Sequence, residues 1–248
     1  MKFVACINHV PDTEAKIKIA PVGNAIDRTG VNYILNPYDE YAIEAALQLK
    51  EKKGGETLAM TLGGDSHKET LRKALAMGID KVILLKDDSV RDSLSVAKAL
   101  VDELKKLSPD FIFFGKLSID YYSEQLPGLV AELLGIPSVS AVVKMSVEET
   151  KIICEREIEG GHEVVETSYP VVISAQKGLN EPRYPSLKGI MASKSKPIEE
   201  HQPIAVPSAV EVVGMQKPPS KQVGKIVGTD ATAVPELVRL LHEEAKVI

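Results

Sequence analysis

Three short runs of this chain combine residue types that hold ligands: Ile7-Asn8, Leu62-Gly63-Gly64, and Gly115-Lys116-Leu117-Ser118-Ile119-Asp120. Each follows an apolar stretch that reads as a strand, and open α/β sheets bind ligands beyond the carboxyl ends of their strands. The Gly63-Gly64 pair allows close backbone approach, and a helix expected from about Ser123 turns free N–H groups toward a phosphate. Such glycines serve equally as turn residues, and neither a G-x-G-x-x-G run nor a P-loop is present. Acid–base and nucleophilic chemistry finds little support, because there is no G-x-S-x-G elbow, no reactive-cysteine context and no paired His–acid spacing. Asp120 is placed for a catalytic carboxylate, but a loop-closing role suits it better, and His162 falls in a hairpin open to solvent. The five histidines are scattered, so no metal site is expected. Cys6 and Cys154 lie in separate apolar runs and read as buried free thiols of a reducing cytosol rather than a disulfide.

Recognition is the better-supported chemistry, and it centres on Gly178–Lys196. Pro182, Pro185 and Gly189 forbid a regular helix from Pro182 to Gly189. Leu187, Ile190 and Met191 stand among them, bracketed by Arg183, Lys188, Lys194 and Lys196. An apolar anchor in a proline-stiffened basic loop suits docking, since little ordering entropy remains to be lost on binding. From the residues alone, apolar side chains folding back onto their own domain are the more economical expectation.

The elements that must position these runs alternate. Lys2–Ile7 reads as a buried strand, and Glu14–Gly30 holds a hairpin with Lys16–Ile19 as one arm. Asn36-Pro37 starts a helix in which Asn36 caps, Pro37 takes the first position, and Asp39 and Glu40 sit at the positive end of the dipole. Gly54-Gly55 ends it. Strands at Thr57–Leu62, Lys81–Leu85 and Asp110–Gly115 alternate with helices at Lys68–Met77, Ser89–Leu107 and Ser123–Leu134, which implies a parallel sheet covered on both faces. From Val139 the pattern turns to strands, with a tight turn at Glu159-Gly160-Gly161, and then Val171–Gln176. Pro197–Gly228 is rich in Pro, Val and Lys and reads as an extended arm, and Pro235–Ala245 closes the chain as an amphipathic helix. The expected division is an α/β, doubly wound, mostly parallel domain over 1–196 with added antiparallel strands, and an arm over 197–248.

Composition narrows the classes. With 248 residues, 44% hydrophobic and 26% charged, the chain can bury a sizeable core as an ordinary globular protein. A formal charge of −5 does not favour nucleic acid as a partner. No apolar run approaches the ~20 residues of a membrane span, and Met1–Ile7 reads as a strand rather than a targeting segment. Aromatic content of 4% without tryptophan gives no base-stacking or sugar-stacking groove.

Several separated motifs, in order, resemble those of the electron transfer flavoprotein β subunit along essentially the full length. They are Leu35-Asn36-Pro37-Tyr38-Asp39-Glu40-Tyr41-Ala42-Ile43-Glu44, Ala74-Leu75-Ala76-Met77-Gly78, Glu155–Gly161 with Tyr169-Pro170-Val171-Val172, and Gly178–Leu187 with Ile190-Met191. The resemblance implies a Rossmann-like, adenine-nucleotide-binding fold. It also implies a cytoplasmic heterodimer with an α subunit that holds most of the FAD, and electrons carried from flavin dehydrogenases, of the acyl-CoA type, to an acceptor such as a quinone oxidoreductase. The chain itself would be a carrier rather than an enzyme.

Carried over residue by residue, a structural AMP would lie near Cys6, Asn36, Pro37, Tyr38, Asp39, Leu62, Gly63, Gly115, Lys116, Leu117, Ser118, Ile119, Asp120, Ser123, Glu124, Gln125 and Leu126. Thr13 would approach the flavin, and Glu157 would hold the mobile FAD domain by a salt bridge across subunits. Arg183, Tyr184, Pro185, Leu187, Ile190 and Met191 would form the recognition loop, with Leu187 as its anchor. Where many relatives are small or polar, this chain has Tyr121-Tyr122-Ser123-Glu124, and an acid at 124 opposes a phosphate dianion unless it turns away. An alternative within the family is a bifurcating subunit that oxidises NADH with a second FAD in place of AMP. A stand-alone nucleotide-binding module is an alternative outside it.

Overall fold

The computed structural model describes residues 1–220 and 223–248, so positions 221 and 222 of the expected arm lie outside the described residues. The chain opens with β1 (Lys2–Cys6), followed by the short strands β2 (His9–Pro11), β3 (Lys18–Ile19), β4 (Ile26–Asp27) and β5 (Tyr33–Leu35). Then come α1 (Pro37–Lys53), β6 (Glu56–Gly63), α2 (His67–Met77), β7 (Lys81–Lys86), α3 (Ser93–Leu107), β8 (Phe111–Gly115) and α4 (Leu126–Leu134). β9 (Ser138–Val147), β10 (Ile152–Ile158), β11 (Gly161–Thr167) and β12 (Val171–Ala175) precede α5 (Leu187–Ser195), β13 (Glu199–His201) and α6 (Val234–Glu243).

Among the described residues the main sheet has nine strands in the order β11-β10-β9-β12-β8-β1-β6-β7-β13. β10 pairs antiparallel with both β9 and β11, and every other adjacent pair is parallel. The chain winds outward from β1 through β6 and β7, then crosses to β8 on the other side, so the order reverses beside β1. That reversal leaves a crevice at the carboxyl ends of β1 and β8.

Strand periodicity explains why both faces are covered. Val4 and Cys6 of β1 pack with Leu100 and Leu104 of α3 and Val130 of α4. Phe3, Ala5 and Ile7 point the other way, toward α1 and α2. Phe111 and Phe113 of β8 pack with Ala42 and Ala46 of α1, while Ile112 and Phe114 pack on the α3–α4 side. Burying such a Phe stabilises by about 1.5–3 kcal/mol. Cys6 and Cys154 are free and buried, and burial pushes both thiols up, Cys154 to about 11. No helix among the described residues is long and apolar enough to cross a membrane.

Four expectations need correction. α3 begins at Ser93 rather than Ser89, because Asp92 caps it by accepting from the Ser95 N–H at 2.7 Å, and Asp87 turns Ser89 aside at 2.8 Å. α4 begins at Leu126 rather than Ser123, since Tyr122 and Glu124 adopt left-handed φ values of 54° and 52°. α5 occupies residues expected to be irregular: Pro185 precedes the helix, and Ser186 caps it by accepting from the Gly189 N–H at 3.0 Å. The proline-rich arm also contributes β13, whose Glu199 pairs with Ile83 at the sheet edge.

Candidate functional site

The carboxyl ends of β1 and β8 are joined by one side chain from α1. Asp39 is buried, and its Oδ2 accepts the Asn8 N–H at 2.7 Å while its Oδ1 accepts the Gly115 N–H at 3.0 Å. Burial pushes its carboxyl up to about 7, against the downward pull of hydrogen bonds from Asn8, Asn36 and Gly115. Gly115 is needed for this approach: a Cβ there would lie 2.5 Å from Asp39 Oδ1 and 2.7 Å from Tyr38.

Asn36 precedes α1, but its side chain does not cap the helix. It reaches the next loop instead, donating from Nδ2 to the Leu117 carbonyl at 2.9 Å and accepting the Ile119 N–H at 3.3 Å. The Asn36–Asp39 turn therefore holds 115–119 as a strand partner would.

The Gly63-Gly64 pair is closely approached by the protein itself. A Cβ on Gly63 would lie 2.2 Å from the His67 ring, and one on Gly64 would lie 1.8 Å from Asp88. These glycines make room for neighbouring side chains.

The other residues expected around AMP are placed as follows. Cys6 belongs to the apolar cluster on the α3–α4 side of the sheet, and Leu62 and Leu126 pack against that cluster. Ser118, Asp120, Ser123 and Gln125 belong to the exposed loop between β8 and α4, with Asp120 Oδ1 accepting the Tyr121 N–H at 3.0 Å. The N-terminus of α4 has no side-chain cap, and Gly128 leaves open space beside it. Lys116 brings an ammonium 3.8 Å from the Glu124 carboxylate, so the acid faces a cation of its own chain. Uncapped N–H groups, an amine and hydroxyls fit a nucleotide phosphate.

Thr13 lies exposed after β2, its hydroxyl 3.4 Å from Asp12. Glu157 of β10 accepts from Gln176 Nε2 at 2.6 Å, just past the carboxyl end of β12. Sequence spacing alone does not reveal that His9 of β2 and His67 of α2 meet. His9 stacks on Tyr33 at 4.9 Å, lies 4.6 Å from the His67 ring and hydrogen-bonds Thr70 at 2.7 Å. Desolvation first, and the neighbouring His9 second, push His67 down to about 4. Among the described residues no group of His, Cys, Asp or Glu is placed to hold a metal ion.

The 178–196 segment is fastened at both ends. At its start, Asn180 donates to the Tyr41 carbonyl at 2.9 Å. Arg183 grips Glu44 at 2.8 and 3.0 Å and Glu51 at 2.6 and 3.2 Å, both carboxylates on α1. Arg183 is thus committed within the subunit rather than displayed. At the far end Arg72 of α2 donates to the Ser193 and Lys196 carbonyls, and Lys196 Nζ donates to the Ile79 carbonyl at 3.0 Å. Gly189 lets α5 lie against α2, where a Cβ would come 2.4 Å from the Ala76 carbonyl oxygen. Between the two fastenings Tyr184, Leu187 and Met191 are 96%, 83% and 73% exposed, with Ile190 beside them and Pro185 half-buried.

Comparison with known proteins agrees with this architecture. The model of the family described as "Electron transfer flavoprotein domain" matches residues 23–206. The chain is 43% identical over 260 residues to the electron transfer flavoprotein subunit beta of Bacillus subtilis, covering 100% of each. It is 40% identical over 249 residues to that of Syntrophomonas wolfei, covering 100% of this chain and 98% of the relative. Identity to the mitochondrial subunit beta of Arabidopsis thaliana is 33% over 255 residues, again covering 100% of each. With its parallel sheet, its Asn36–Asp39 turn and matches from end to end, the chain belongs to the electron transfer flavoprotein family as a β subunit.

Proposed function

We propose that this chain pairs with an electron transfer flavoprotein α subunit and helps carry electrons from flavin dehydrogenases of the acyl-CoA type to an acceptor such as a quinone oxidoreductase. FAD, held mainly by the α subunit, supplies the redox chemistry. The residues of this chain enclose, position and dock. Thr13 and Glu157 are accessible on the rim that would face the flavin domain. The extended segment and α6 leave Val213, Ile226, Leu237 and Val238 exposed, apolar area that a partner subunit would cover.

AMP would place its phosphate at the α4 N-terminus, with Lys116, Ser118, Ser123 and Gln125 as donors and Cys6, Leu62 and Leu126 as an apolar wall. Asn36 and Asp39 would act at one remove, fixing the loop. Because Glu124 faces Lys116, it offsets part of the positive field that the phosphate meets.

The observation that supports the donor-binding role is the exposure of Leu187 on a segment fastened at both ends. A preorganised anchor loses little entropy on docking, and a small contact built around one apolar side chain gives short-lived complexes suited to turnover. The test is co-expression with the α subunit, co-purification, and release and identification of every bound nucleotide. One FAD and one AMP per heterodimer are expected. Two FAD would instead indicate the bifurcating form, and a chain that is stable and catalytic without a partner would contradict the assignment.

A further inference from the structure

An open groove of about 570 Å³ lies between α2 and α5, immediately beside the Leu187 anchor. Its floor is apolar, formed by Ala76, Pro185 and Ile190, and its rim carries Arg72, Lys73 and Lys194. Lys73 is neutralised by Glu40. The other two cations have no carboxylate partner among the described residues. Arg72 uses Nη1 alone, on two backbone carbonyls, which leaves Nε and Nη2 without a hydrogen-bond partner among the described residues. That edge of a guanidinium is the one that takes a carboxylate with two parallel bonds. Lys194 is exposed and has no carboxylate partner among the described residues, and neither does Lys188 on the same helix. An uncompensated positive rim is notable on a chain whose formal charge is −5.

We infer that this groove is a second docking pocket, receiving a carboxylate-bearing apolar segment of the same electron-donor dehydrogenase that takes Leu187. The inference rests on the donor-docking role proposed for residues 178–196 and goes beyond it. Leu187 inserts outward into the donor, and the groove takes a donor side chain inward. The apolar floor lies next to the Ile190 contact, so both fall under one footprint. Reciprocal insertion fixes orientation, which a lone hydrophobic anchor cannot do. Opposite charge on the donor would steer the encounter and make it sensitive to salt.

Lys194→Glu in the co-expressed, flavin-loaded heterodimer is the sharpest test, because this exposed side chain holds no polar partner among the described residues. The readout is turnover by an acyl-CoA dehydrogenase with the heterodimer as the varied acceptor, beside direct reduction by dithionite. At low ionic strength KM should rise about three- to fivefold with kcat and dithionite reduction unchanged. The difference should close at about 0.5 M salt, where screening acts within a few ångströms. Arg72→Lys, which keeps the charge but loses the fork, should raise KM less than Lys194→Glu does. Unaltered KM for Lys194→Glu, with a raised KM for Leu187→Ala, would overturn the groove and leave the docking segment standing. Unaltered KM for both would overturn both. If Lys194→Glu instead loosened co-purification of the α subunit, the groove would belong to the heterodimer interface and the inference would fail.

Discussion

The strand-end rim and the docking segment use polar side chains in opposite ways. At the rim, Asp39 and Asn36 are buried and turned inward, and they hold backbone N–H and C=O groups of loops that come together only on folding. In the proposed docking segment the polar fastenings sit at the two ends, Arg183 gripping Glu44 of α1 and Arg72 of α2 gripping the Ser193 and Lys196 carbonyls, while the middle displays apolar side chains to solvent. Order at the rim comes from burial, and each bond there is energetically coupled to the core. Order in the segment comes from clamps, so the displayed residues are free to change without unfolding the domain. The same chain thereby separates the residues that keep it folded from those proposed to meet its partners.

Substitutions should reveal that separation, and the largest effect belongs to the rim. Asp39→Ala leaves the buried Gly115 N–H and the partly buried Asn8 N–H without acceptors, and should cost about 2–5 kcal/mol in denaturant unfolding. A loss under about 1 kcal/mol would mean that the rim tolerates solvent and that the two regions do not differ. Arg183→Ala removes the partner of the buried Glu44 and should cost about 2 kcal/mol, less than a fully buried pair because the guanidinium is partly exposed. Leu187→Ala should change stability by less than about 0.5 kcal/mol, as expected for an exposed side chain.

Acidity sharpens the contrast in a second way. Asp39 has a folded pKa raised to about 7 from 3.8, so the native state binds more protons than the unfolded chain between those values. Its contribution is therefore full below about pH 4 and is lost as pH rises toward 7. His67, lowered to about 4 from 6.5, does the reverse, and stability gained from it grows as pH rises through that interval. The two slopes oppose each other in the unmodified protein. Asp39→Asn should expose a rising limb between about pH 4 and 6.5, and His67→Gln a falling one between about pH 4 and 7, both read by thermal unfolding across pH. Identical profiles for all three proteins would place these groups in ordinary solvent. A smaller effect is expected at the proposed nucleotide seat, where Glu124→Gln removes the acid facing Lys116 and should increase AMP retention about two- to threefold by equilibrium dialysis.

Much of the frame was legible in the sequence because it depends on local rules. Strand periods, the Asn36-Pro37 start and the Gly54 stop each involve neighbours along the chain, and together they give the alternating parallel sheet. The errors share a physical cause. Asn36 looked like a cap because its true partners, Leu117 and Ile119, are far away in sequence. Arg183 looked free for a partner because Glu44 and Glu51 belong to α1. The His9–His67 contact and the closing of Gly63 over His67 are likewise matters of tertiary approach. At α5 the prolines were read as barring a helix, yet Pro185 lies before the Ser186 cap and leaves the residues after it free. The edge strand β13 was hidden by its proline-rich surroundings, since only pairing with β7 defines it.

The most direct measurement follows Leu187→Ala in the purified heterodimer through two reductants. Reduction by an acyl-CoA dehydrogenase should slow about tenfold or more, while dithionite reduction, the bound-flavin spectrum and the melting temperature stay as they were. Equal rates with the dehydrogenase for variant and unmodified protein would contradict the claim that this chain displays a clamped apolar anchor to its electron donor.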